Sequence, residues 1–244
     1  MEFGLLEKLA RKGWRVVPVD VRGVGETKPP HADEEGPGPF HNLDDAETVM
    51  SYWTWEINEG LFGMRVYDAI RSIDYVLSRR DVSQSGIRLI GKGRAALWSL
   101  FAAAIDPRAV SLTCDAGLLS YGSLTRVDRY LYSADVLIPG VLEHFDLPQV
   151  AACVADRPLA LISPADAMKR PVPMSAALGT YQWTAKTYTA LGAGGRFRVS
   201  ARSRGFDLAD TGDGLRGLAC RARPFRIMRR KDRHGGIPHF SRPG

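Results

Sequence analysis

Two periods of apolar residues alternate along residues 5–200. Leu5, Leu6 and Leu9 recur at helical spacing, and Gly13 stands where a glycine closes a helix. Trp14 to Val19 is a short β-branched run ended by Asp20, the pattern of a buried strand. Val66, Ile70, Ile73 and Leu77 share one face of a helix predicted over 64–80. Ile87 to Ile90 reads as a strand, closed by Gly91-Lys92-Gly93, and Ala95 to Ile105, apolar nearly all round, as a buried helix. Further strands are predicted at 110–113, 159–162 and 196–199, with a helix over 175–191. Strands alternating with helices define an α/β class with a mostly parallel sheet and helices on both faces. Residues 28–45, rich in Pro, Gly and acids, form a surface loop.

From Ala201 onward the pattern stops, so residues 1–200 read as one domain and 201–244 as a basic Arg-rich tail. The chain-wide charge of +6 lies there: eleven basic side chains face Asp207, Asp210, Asp213 and Asp232, a net +7 that leaves −1 for the body. The tail reads as a flexible basic extension, or as a segment with no structural history in the fold. The body gives no nucleic-acid signal. No apolar run approaches the roughly 20 residues that cross a bilayer, and the N-terminus is too charged for a signal-peptide core. Cys114, Cys153 and Cys220 have no metal-ligand spacing and fit a reducing compartment, so a cytoplasmic protein is expected.

Several motifs in a fixed order carry chemistry. Asp20-Val21-Arg22-Gly23-Val24-Gly25 follows the first strand. A helix with Arg71, Asp74 and Tyr75 leads to Ile87-Arg88-Leu89-Ile90-Gly91-Lys92-Gly93-Arg94-Ala95. Leu142-Glu143-His144-Phe145-Asp146-Leu147-Pro148 and Asp156-Arg157-Pro158-Leu159 come later. This series resembles the acetyl xylan esterase and prolyl oligopeptidase-like branch of the α/β-hydrolases, over residues 5–200. The resemblance implies a Gly-x-Ser-x-Gly nucleophile elbow at 91–95. Gly93 stands at the nucleophile position and Ala95 at the second glycine, so the elbow is degenerate and its usual serine mechanism is excluded. The chain begins near the helix before the first expected strand, so the fold is read as N-terminally shortened, without the oxyanion loop.

The resemblance also places the triad acid at Asp166, just past the strand 159–162, although an Asp capping that turn explains the residue equally well. A histidine after the last strand leaves His239 or His234, both deep in the tail. Cys114, at a strand end beside Asp115, is an alternative nucleophile whose plain reading is a buried inert thiol. Ser163 sits at a strand end without a visible base, and Lys92 in the elbow reads as a solvated or paired lysine. Asp207, Asp210 and Asp213 recur at three-residue spacing, a poor match to a Ca²⁺ loop that would still hold Ca²⁺ or another divalent metal weakly. No nucleotide cofactor is expected.

Two functions follow. The first is a hydrolase of a small carboxylic ester or lactone that uses water activated by a metal or a carboxylate. The second is a catalytically silent relative that binds a ligand or a protein in the same crevice.

Overall fold

The computed structural model describes residues 3–28 and 46–202. Helix α1 (Phe3–Arg11) ends at Gly13, whose φ of 85° lets the chain reverse. Helices α2 (Ala46–Glu56) and α3 (Leu61–Ser78) precede the sheet. Strand β1 (Ile87–Lys92) then leads into α4 (Arg94–Ile105), and β2 (Ala109–Asp115) into a long connection ending in α5 (Leu147–Ala152). Strand β3 (Leu159–Ile162), helices α6 (Met174–Thr180) and α7 (Gln182–Ala190), and strand β4 (Phe197–Ser200) complete the order. The four strands pair in the order β1-β2-β3-β4, every pair parallel. The α/β class and the parallel sheet are as the apolar periods predict.

Register shows how the sheet is covered. Residues in register on parallel strands project to the same side. Leu89, Leu112, Leu159 and Phe197 form one row and Gly91, Cys114, Leu161 and Val199 the next. This apolar face meets α4 and the ring of Tyr188 on α7, which stacks on Phe197 with centroids 5.2 Å apart. The close seat of α4 needs Gly91, because a Cβ there would lie 2.4 Å from the Ala95 carbonyl oxygen. Helices α3 and α5 pack outside α4. On the opposite face Ile90 packs with Leu9 of α1, Trp14 and Val16, and the Arg88 guanidinium lies 4.4 Å from the Trp14 ring centroid.

Two expectations are corrected. Residues 14–19 are not a strand of the sheet. Trp14 and Val16 pack instead with Leu9 of α1 and Ile90 on one face of β1, and Pro18 has no N–H for a ladder. The helix predicted over 175–191 is two helices. The break is at Tyr181 (φ −94°, ψ 15°), whose buried hydroxyl donates to the Leu119 carbonyl at 3.0 Å. The tail beyond residue 202 and most of the loop 28–45 lie outside the described residues.

Candidate functional site

The carboxyl edge of a parallel sheet, where strands turn into helices, is where open α/β folds place ligands. Here that edge centres on the turn from β1 to α4. Gly93 has φ 59° and ψ −122°, a conformation that strains any L-residue, and it precedes the first turn of α4. Its N–H donates to the Asp115 carbonyl at 2.8 Å, tying the turn to the end of β2. A Cβ built on Gly93 meets nothing within 4 Å among the described residues, so among them the position opens onto free space. Gly117, next along the edge, is tight instead: a Cβ there would lie 2.9 Å from the Ala96 methyl.

A buried charge network supports the turn from beneath. Arg65 of α3 and Asp135 are both fully buried and ion-paired. Asp135 also accepts from Arg94 Nη1 at 2.9 Å and from Ser133 Oγ at 2.8 Å. Arg94 Nη2 reaches Glu47 Oε1 of α2 at 3.1 Å. Arg65 lies over Trp98, 4.9 Å from the ring centroid, and its Nε donates to the Arg22 carbonyl at 3.0 Å. Burial pulls the Arg65 guanidinium below its usual value, against the attraction of Asp135. The Asp20–Gly25 motif is thereby joined to the Gly93 turn through Arg22, Arg65, Asp135 and Arg94. The motif closes on itself as well: Asp20 Oδ2 accepts from the Glu26 N–H at 3.1 Å, and a Cβ on Gly25 would strike that carboxylate. Arg22 forks onto Asp68 at 2.8 and 2.5 Å.

Asp166 lies past β3 as expected, in a loop it organises. Its Oδ1 accepts the N–H groups of Met168 at 2.8 Å and Arg170 at 2.9 Å, and its Oδ2 accepts Arg170 Nε at 2.9 Å. Desolvation pushes this carboxyl up, but the Arg170 and Met168 donors outweigh it and hold the group below the ordinary aspartate value. Both oxygens are engaged with their own loop, the arrangement of a turn-capping residue. Cys114 is buried and donates to the Ala96 carbonyl at 3.4 Å. Burial, with Asp115 adding to it, pushes its thiol well above the ordinary value. A protonated interior thiol is not an attacking thiolate.

Ser163, in a left-handed conformation with φ 43°, accepts the Arg202 N–H through its Oγ at 2.7 Å. Arg202 in turn pairs with Asp115, whose side chain is fully buried. His234, His239, Asp207, Asp210 and Asp213 lie outside the described residues. Among the described residues no three His, Cys, Asp or Glu side chains gather as a metal site, and no helix is long and apolar enough to cross a membrane. Reading the sequence missed Glu47, Arg65 and Asp135, which join elements distant along the chain and leave no local spacing.

No family model matches the chain. A Bacillus subtilis protein assigned as a hydrolase, YtaP, is 30% identical over 104 residues, which is 40% of this chain and 33% of that protein. A solved Bacteroides fragilis protein, assigned as an acetyl xylan esterase, superimposes with a TM-score of 0.62 at 16% identity. It covers 84% of this chain, and 50% of its own length is matched. A carbohydrate esterase family 15 glucuronoyl esterase from Caldicellulosiruptor kristjansonii gives a TM-score of 0.51 at 15% identity, over 66% of this chain and 52% of that one. The fold is therefore shared with these two esterase structures, and the chain spans about half of their length and a third of that of YtaP.

Proposed function

We propose that the chain carries a hydrolase site for a small carboxylic ester or lactone, working through activated water at the carboxyl edge of the sheet. The observation behind this reading is the Gly93 turn. Its backbone has the strained strand-to-helix conformation that an elbow requires, the space ahead of it is open, and it lies in a fold shared with esterases. Gly93 stands where the resembled family has its serine and has no atom to attack a carbonyl. Water is then the nucleophile, and at neutral pH it needs a carboxylate to take its proton or a metal to lower its pKa. Lactones suit such a site because ring strain makes them easier substrates.

The same lack of a nucleophile supports the second reading, a silent relative that binds a small ligand or a protein in the crevice. A panel of 4-nitrophenyl acetate and simple lactones, assayed with and without a chelator, separates the two. Turnover that falls on chelation draws in a divalent metal at Asp207, Asp210 and Asp213, and turnover that resists it leaves a carboxylate alone. No turnover on any compound leaves the binding reading.

A further inference from the structure

We propose that Asp115 is the carboxylate through which this site acts on water, an assignment that rests on the hydrolase reading above. Asp115 closes β2 at the carboxyl edge, in register between Lys92 of β1 and Ile162 of β3. Its carbonyl accepts the Gly93 N–H at 2.8 Å, so it flanks the turn that opens onto free space. Its side chain is fully buried. Oδ2 is held by Arg202, yet Oδ1 is buried with no hydrogen-bond partner among the described residues. A buried carboxylate oxygen with idle lone pairs is costly and calls for a donor. Water is the small donor that can supply one.

Asp166 is the contrasting case. Each of its oxygens is already taken by a donor of its own loop, so it has no comparable lone pair for a substrate water. Arg202, which holds Oδ2, is 42% exposed, so its long side chain has room to move away from the acid. The step balances simply. Oδ1 takes a proton as the water oxygen bonds to the carbonyl carbon. The tetrahedral adduct then breaks its bond to the alkoxy oxygen, which takes that proton back and leaves as the alcohol, while the acid is released.

The test uses the full chain with 4-nitrophenyl acetate and a simple lactone. Asp115→Asn is expected to lower kcat by about 100-fold or more with little change in KM, the usual worth of a general base. Asp166→Asn should stay within about threefold of the wild type, even if it melts earlier. Asp115→Ala should be restored in part by added formate, a carboxylate small enough for the space left; a purely structural role would not respond. Should these variants fail to fold, Asp115→Glu keeps the charge opposite Arg202 and is expected to lose about tenfold or more by displacing the oxygen. Turnover that survives Asp115→Asn, or an Asp115→Glu rate equal to wild type, overturns the assignment and leaves the hydrolase reading standing. No turnover by the wild type overturns both.

Discussion

The two faces of the sheet differ in chemistry. One presents Leu89, Leu112, Cys114, Leu159, Leu161 and Val199 to α4 and its neighbours. The other presents Arg88, Ser111, Thr113, Asp115 and Arg198, relieved by Ile90, Ala160 and Ile162. A parallel sheet is ordinarily apolar on both sides because helices cover both. Here both faces carry helix, but among the described residues only the first is packed as a continuous core. The second has α1 with Trp14 and Val16 over β1, and its far row runs Lys92, Asp115, Ile162, Ser200 along the carboxyl edge. Burial is thus concentrated on the apolar side, and the edge of the polar side carries Lys92 and Asp115.

The largest expected effect lies on the packed side. Arg65 and Asp135 form a fully buried pair against α4. Asp135→Asn leaves the Arg65 charge uncompensated and is expected to cost about 3–5 kcal/mol in urea unfolding. The double replacement Arg65→Met with Asp135→Leu should cost less than the single one. An Asp135→Asn variant within about 1 kcal/mol of wild type, the value of an exposed pair, would show that this side is not closed to water in solution.

Next comes a direct comparison across one strand. Leu112 and Thr113 are neighbours in β2, both buried, and face opposite ways. Leu112→Ala is expected to cost about 2–5 kcal/mol by emptying packed apolar volume. Thr113→Ala should cost nearer 1 kcal/mol, since little more than one hydroxyl and one methyl are lost. Equal denaturation midpoints for the two variants would remove the distinction between the faces.

The smallest effect belongs to the opposite end of β2. The Arg108 guanidinium holds the Asp106 carboxyl below the ordinary aspartate value, with desolvation opposing it. A carboxylate with a lowered folded pKa adds stability above its unfolded value, about 3.9, and loses it as pH falls through the folded value. The wild type should therefore lose melting temperature on acidification below about pH 4, and Asp106→Asn should lose less over that range. A parallel acid limb in both proteins would show that this pair adds nothing.

Much of the fold was legible as periodicity. Strands β1, β2, β3 and β4 each announced themselves as short apolar runs, because a strand buried on one continuous core needs apolar side chains at alternate positions. Gly13 and Gly93 marked turns because no other residue reaches their φ without strain. Trp14 to Val19 misled for the same reason: an apolar β-branched run describes burial, and burial against a face reads the same as burial within a sheet. Helix α2 escaped notice because its apolar residues surround it, with Trp53 65% exposed, so no stripe points to a core.

The candidate site divides in the same way. By itself the sequence determined the four strands of the sheet, the buried helix α4 and the glycine turn between β1 and α4, all properties of residues close along the chain. Tertiary structure alone decided that Arg65, Asp135, Arg94 and Glu47 meet beneath the turn, and that Asp166 is consumed by its own loop while one Asp115 oxygen has no partner among the described residues. Those outcomes depend on which donors reach which carboxylate across dozens of residues of chain, a matter of distance and burial that spacing along the sequence does not encode.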